Sequence, residues 1–164
     1  MNEYEVYLID VQGDFLSKQT HAKPTNALAD LIWNSLDADA TLVEVKEESY
    51  DIGEKRIVIS DNGTGFKHSE AEVLFRRLGG SWKHQAGETK GKHRFLHGSE
   101  GKGRFKAFSL GRVVDWEVRF KEGDGLKQFS VSMLENSIRE VRITAPLAAR
   151  DSKTGVRCVI SELH

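Results

Sequence analysis

Three polar residues in one predicted helix are spaced so that they could act on a single ligand. Asp30, Asn34 and Asp37 stand at positions i, i+4 and i+7 of the segment NALADLIWNSLDA, so at helical geometry they fall within an arc of about 60°. A carboxylate one turn from a carboxamide can orient a water molecule and offer an oxygen to a hard Mg²⁺ ion. The alternative interpretation is a solvated polar face on an amphipathic helix.

A second candidate is the segment DNGTGF, residues 61–66, which directly follows the apolar segment RIVIS. Asp61, at the end of a predicted strand, could accept a hydrogen bond from an exocyclic amine. Gly63 and Gly65 have no Cβ, so they would let the backbone approach a flat ring. The alternative is an ordinary turn, because Asn-Gly is a strong hairpin signal.

The third candidate is the segment GSEGKG, residues 98–103, which precedes a helix predicted over residues 104–110. Backbone amides at such a place bind phosphate, because they are unpaired and the helix dipole favours negative charge. Lys102 would add a positive charge. The alternative is a structural linker. Neither G-x-x-x-x-G-K-[ST] nor G-x-G-x-x-G occurs in the chain, which excludes two common phosphate-binding motifs.

Hydrophobic periodicity predicts the elements that would position these groups. It indicates a helix over 26–38, strands over 41–48 and 56–60 that pair as a hairpin, and a short helix over 69–77. Four later segments alternate or cluster apolar residues as strands do: 111–120, 126–134, 137–145 and 155–163. The C-terminal half is therefore predicted to be mostly antiparallel sheet.

The composition is that of one soluble domain. The chain has 164 residues, of which 30% are charged and 38% hydrophobic, and no segment approaches the roughly 18 to 20 apolar residues that cross a bilayer. The N-terminus lacks a basic start followed by an apolar run, so we expect a cytoplasmic protein with no membrane partner. The single cysteine, Cys158, excludes an internal disulfide and a multi-cysteine zinc site, and its apolar neighbours predict a buried strand.

The net charge of −1 hides a basic segment between Arg76 and Lys106. Nine Lys or Arg residues stand there against two Glu residues, a local charge of +7 that leaves −8 for the rest of the chain. Such a block implies an anionic partner, either a polyphosphate or a nucleic acid, although a solvated loop is also compatible with it.

The order and wording of the three candidate segments resemble the GHKL ATPases, a family that includes DNA gyrase B, the heat-shock chaperone, histidine kinases, MutL and MORC proteins. ALADLIWNSLDA resembles the N box, IVISDNGTGF the G1 box and HGSEGKGRFKAFSLG the G2 box, with MutL and MORC proteins closest in wording. The resemblance implies a Bergerat-type fold, an α/β (α+β) two-layer sandwich whose mostly antiparallel mixed sheet is covered on one face by helices. It also implies that residues 1–164 form a single ATP-binding domain, the N-terminal part of a longer protein.

The resemblance assigns roles residue by residue. Asn34 would coordinate Mg²⁺, Asp61 would bind the adenine amino group, and Gly63 and Gly65 would border the adenine. The lid over the phosphates would be formed by Gly98, Gly101, Lys102 and Gly103. Ser81 and Lys83, in the segment LGGSWK, would also reach the nucleotide. Thr154 stands near the place where the family has a threonine that assists the adenine-binding aspartate, so that role is either displaced to Thr154 or missing.

Asp30 stands where the family carries its general-base glutamate. Its side chain is one methylene shorter, which places the carboxylate on the order of 1 Å further from the γ-phosphate, a misplacement that costs about a hundredfold in rate. The resemblance therefore implies Mg²⁺-dependent ATP binding with slow hydrolysis, acting through a nucleotide-driven conformational switch or homodimer. The alternatives are a nucleotide sensor without turnover and a nucleic-acid-binding domain that uses residues 76–106. Family members usually have a second domain that supplies a lysine to the γ-phosphate; here we expect that domain elsewhere in a longer protein or on a partner chain.

Overall fold

The computed structural model describes residues 3–9, 21–76 and 103–164. The helices are α1 (Pro24–Asp37), α2 (His68–Arg76) and the four-residue α3 (Gly103–Lys106), with 3-10 turns at Ala107–Ser109 and Glu135–Ser137. The strands are β1 (Tyr4–Leu8), β2 (Val43–Ser49), β3 (Lys55–Asp61), β4 (Gly111–Glu122), β5 (Gly125–Leu134), β6 (Glu140–Thr144), β7 (Leu147–Ala148) and β8 (Gly155–Leu163).

The strands form one sheet in the order β1-β6-β5-β4-β8-β3-β2, with the short β7 beside β5. Each pairing between described strands is antiparallel, which confirms the predicted character of the sheet. The hairpin of β2 and β3 is confirmed as well. In the centre of the sheet Trp116 lies opposite Cys158, and Cys158 lies opposite Ile59.

The core lies between one face of this sheet and the helices. Alternate residues of β4 point into it, because successive side chains of a strand face opposite sides; they are Val114, Trp116, Val118 and Phe120, all buried. Phe105 and Phe108 fill the core from the α3 side, and Cys158 is buried within β8. The predicted two-layer α/β arrangement is therefore confirmed, and so is the burial of the cysteine in a strand.

The helix predicted over residues 104–110 is shorter than expected. α3 ends at Lys106 and a 3-10 turn over Ala107–Ser109 follows it. The Ser109 hydroxyl donates to the carbonyl of Lys106 at 2.8 Å, a local bond of the kind that competes with helical geometry. Two bulky side chains, Phe105 and Phe108, enter the core within this segment. In the described ranges, none of the helices has the length and apolar character needed to span a bilayer.

Candidate functional site

A cavity of about 370 Å³ lies between α1, α2 and the inner face of the sheet. Its floor is apolar and comes from three neighbouring strands: Ile59, Trp116, Val156 and Cys158. Helix α1 contributes polar side chains to one wall, and α2 contributes mostly apolar ones to the other. Small-molecule sites are typically cavities of about 300 to 1,000 Å³ with an apolar lining and a few polar groups. This cavity therefore has the size and lining of a small-molecule site.

Asp61 is the last residue of β3 and is a buried carboxylate, 9% exposed, in the cavity wall. The backbone N–H groups of Gly63 and Val156 both donate to its Oδ1, at 2.9 and 3.1 Å. Burial raises the pKa of Asp61, while the hydrogen bonds of Ser35, Gly63 and Val156 act in the opposite direction. Because both backbone donors use Oδ1, Oδ2 is the oxygen that the backbone does not engage.

The two glycines of the DNGTGF segment allow it to lie against neighbouring backbone. A Cβ on Gly63 would lie 2.5 Å from the carbonyl oxygen of Ala38, and a Cβ on Gly65 would lie 2.4 Å from that of Arg119. Gly65 also has a positive φ of 64°, which favours glycine. Gly65 lines the cavity, so it borders any ligand bound there.

The segment is not a hairpin turn. It leads from β3 into α2, and Asn62 anchors it by accepting hydrogen bonds from the N–H groups of Thr41 and Leu42 at 2.8 and 2.9 Å. The ordinary-turn interpretation of Asn-Gly is therefore wrong.

Thr154 lies beside the same segment. Its hydroxyl donates to the carbonyl of Gly63 at 2.7 Å. The next residue, Gly155, has a φ of 150°, and a Cβ there would lie only 2.1 Å from the carbonyl oxygen of Asp61. Thr154 is thus placed to position the Asp61 loop through Gly63.

The three polar residues of α1 do not form a solvated face. Asp37 is 4% exposed, and Asp37 and Asn34 both line the cavity. Asp30, one turn before Asn34, forms an ion pair with Lys106 of α3 at 2.5 Å, with both side chains 28% exposed. The interpretation as a solvated amphipathic surface is therefore wrong for this part of the helix, whose polar arc faces the cavity and α3.

Besides the floor residues, two cations of the site were missed by sequence reasoning. Arg104 lines the cavity, and Lys106 binds Asp30. Both residues follow the glycine-rich segment closely. The one sequence signal for a role in the site was their positive charge within the basic segment. Of the predicted lid, Gly103 begins α3. The other predicted residues of that part lie outside the described ranges: Ser81, Lys83, Gly98, Gly101 and Lys102.

Most of the basic segment also lies outside the described residues. In the part that is described, Arg76 pairs with Glu72 at 2.6 Å, Lys106 pairs with Asp30, and Arg104 faces the cavity. Two of these three cations are therefore paired with carboxylates of the chain, and the third lines the cavity.

The donors of the site suit a magnesium ion that is shared with a polyphosphate. In the described residues there is no group of three or more His, Cys, Asp or Glu side chains that could hold a metal ion by itself. Mg²⁺ keeps several waters and is commonly held by one or two protein oxygens together with substrate phosphates. Asn34, which lines the cavity, has a side-chain oxygen that fits such a role.

A family model described as histidine kinase-, DNA gyrase B-, and HSP90-like ATPase matches residues 22–156, which include α1, the Asp61 loop and Thr154. The chain belongs to this ATPase family. The predicted resemblance to GHKL ATPases is thereby confirmed, and membership of the family supports ATP binding. The match also covers β3 and β4, two of the three strands that form the cavity floor, and it ends at the start of β8.

Curated relatives point to the same part of the family. The chain is 46% identical over 55 residues to the DNA mismatch repair protein MutL of Exiguobacterium sibiricum, and 40% identical over 55 residues to that of Lactobacillus acidophilus. Each match covers 34% of this chain, but only 9% and 8% of the respective relative. The predicted likeness to MutL is confirmed, while the matched segment spans less than a tenth of either MutL protein.

Proposed function

We propose that this chain is a Mg²⁺-dependent ATP-binding module that hydrolyses ATP slowly and acts as a nucleotide-driven switch. The observation that carries the proposal is the buried carboxylate of Asp61 in the wall of an apolar cavity, in a chain of an ATPase family. Two backbone N–H groups already hold Oδ1 of this carboxylate, and the amino group of adenine would supply a donor for Oδ2.

The base would lie on the apolar floor of the cavity, where Trp116, Val156 and Ile59 offer a surface for a flat ring. Val156 serves twice, since its backbone N–H also holds Oδ1 of Asp61. The acceptor is therefore preorganised, which reduces the cost of ordering the site on binding.

The phosphates would extend along α1 away from Asp61. Asn34 lies one helical turn from Asp30 on the same side of that helix, so a magnesium ion held by Asn34 would lie close to the predicted base. When bound, the ion would neutralise charge on the phosphates. The lid glycines would add backbone amides.

Asp30 would act as the general base. The attacking water would donate its proton to the Asp30 carboxylate as its oxygen bonds to the γ-phosphorus, and the bond from that phosphorus to the leaving ADP oxygen would break. Because Lys106 binds Oδ2 of Asp30, the carboxylate is held in one orientation and must share its acceptor capacity between the ammonium group and water. Both this sharing and the short side chain favour slow turnover.

Asp30→Asn should lower the rate of ATP hydrolysis by about a hundredfold or more, because the amide cannot accept the proton. The dissociation constant for ATP should stay within about threefold, since Asp30 lies outside the cavity lining. Phosphate release under single-turnover conditions and calorimetry measure the two quantities. Asp30→Glu is the matched variant, and a gain in rate there supports a weakened ATPase. An absence of turnover in both the wild type and Asp30→Glu favours the sensor.

The switch should show itself in the oligomeric state. We expect a non-hydrolysable ATP analogue with Mg²⁺ to convert monomers to dimers in sedimentation velocity, because the proposed switch couples nucleotide binding to dimerisation. Asp61→Asn is the control that should remain monomeric with the analogue. An unchanged monomer in the wild type at saturating analogue would contradict the dimerisation switch.

A nucleic-acid-binding function has no comparable support. Its predicted surface was the basic segment, and in the described residues the cations of that segment are paired or face the cavity.

A further inference from the structure

The guanidinium group of Arg104 is enclosed by the protein without a full set of acceptors. Arg104 lines the cavity, yet its Nη1 is shielded from solvent and has no hydrogen-bond partner among the described residues. Burial lowers the pKa of Arg104 to about 10. Within the described part of the chain, Nη1 of Arg104 is the one buried side-chain nitrogen or oxygen that lacks a hydrogen-bond partner.

The residues around Arg104 hold its side chain in place but give its Nη1 no hydrogen-bond acceptor. Its guanidinium carbon lies 5.1 Å from the centre of the Phe75 ring, and Phe75 packs edge-on against Trp116 at 4.9 Å. The adjacent Phe105 is 1% exposed, so the backbone at this point is fixed in the core. A cation–π contact offsets only part of the cost of a desolvated charge.

We propose that Arg104 is a ligand-binding residue, and that the nucleotide supplies the acceptor that its Nη1 lacks. This inference rests on the proposed function and adds to it a second polar contact within the same cavity. Oδ2 of Asp61 offers an acceptor to the ligand, whereas Nη1 of Arg104 requires one. The cavity would therefore favour a ligand that carries both a donor and an acceptor, since a ligand without the acceptor would leave Nη1 of Arg104 unpaired.

The missing acceptor is either a ring nitrogen of the base or a phosphate oxygen. Both are acceptors for a guanidinium group, and comparing adenosine with ATP separates them. A contact to the base is present with both ligands, whereas a contact to phosphate is present only with ATP.

The test is Arg104→Met, which removes the charge but keeps an unbranched side chain. Calorimetry with ATP plus Mg²⁺ and with adenosine would give dissociation constants for the wild type and the variant. We expect the constant for ATP to rise by about tenfold or more. An equal rise for adenosine assigns the acceptor to the base, and an unchanged value for adenosine assigns it to a phosphate.

The stability of the free protein provides an independent measurement. Removing a buried charge that lacks an acceptor should leave the thermal midpoint of the nucleotide-free protein unchanged or raise it, whereas a purely structural role predicts a lower midpoint. Arg112→Met is the matched control, because Arg112 is exposed and pairs with Glu135 at 3.5 Å. We expect it to leave both dissociation constants unchanged.

Wild-type affinity for ATP in Arg104→Met would overturn the inference while leaving ATP binding intact. If the wild type itself bound neither ligand, the proposed function would fall and this inference with it. Should Arg104→Met not fold, Arg104→Lys decides. It keeps a cation but loses the planar fork, so a rise in the dissociation constant for ATP supports the inference and an unchanged value overturns it.

Discussion

Asp61→Asn should raise the dissociation constant for ATP by about a hundredfold or more and leave the chain folded. The variant keeps an oxygen that can accept from Gly63 and Val156, which donate to Oδ1 in the wild type. In place of Oδ2, however, it presents an amide donor to the donor amine of adenine. An unpaired buried donor, together with the loss of the charge-assisted bond, costs about 3 kcal/mol, or roughly two powers of ten.

Calorimetry with ATP and Mg²⁺ measures this loss, and a thermal melt of the free variant verifies that it is folded. A pH series adds a second check. Burial raises the pKa of Asp61, and only the ionised carboxylate accepts from adenine without a competing proton. Wild-type affinity should therefore fall as the pH decreases through that raised pKa, whereas the variant should lack this dependence. Wild-type affinity in Asp61→Asn would refute the placement of the base.

The second large effect concerns Gly155→Ala. A Cβ at this position would lie 2.1 Å from the carbonyl oxygen of Asp61, and the backbone φ is 150°. The obstacle is main chain at the end of β3, so it cannot move aside as a flexible side chain would. Conformational strain and overpacking together should lower the free energy of unfolding by about 2 to 5 kcal/mol.

Urea denaturation measures the loss, and two other glycines separate its causes. Gly53 has a positive φ of 78° with nothing within 4 Å of an added Cβ, and Gly125 also has open space there. Gly53→Ala should show the strain alone, and Gly125→Ala neither effect. A loss for Gly155→Ala no larger than that for Gly53→Ala would contradict the steric argument.

The sequence predicts those parts of the fold that depend on local patterns. Apolar patterning located six of the eight described strands and the hairpin of β2 and β3, because a half-buried strand imposes a period of two; β1 and β7 were not predicted. The likeness of three segments to known boxes identified the family and drew attention to Asp61. These signals extend over a few residues each, so they can be recognised without a structure.

Contacts between distant segments could not be predicted in this way. The pair of Asp30 and Lys106 joins residues 76 positions apart, and nothing in the periodicity of α1 indicates a partner on α3. The same is true of Arg104, which is one cation among many in its segment until the packing encloses it. The glycines of the Asp61 loop were predicted to face a ligand, whereas the closest approach that they permit is to the backbone of Ala38 and Arg119.

Besides the bonds of Asn62 to Thr41 and Leu42, the Asp61 loop is attached to three other parts of the molecule. Thr64 donates its N–H to Ala38 at the end of α1, Thr154 binds Gly63 from the start of β8, and Gly65 lies against β4 at Arg119. A loop held at all these points cannot shift without disturbing a helix and two strands together. Under the proposed function, adenine would bind to a rigid loop. The conformational change of a nucleotide cycle would then occur at the phosphate end of the ligand, where α3 contacts α1.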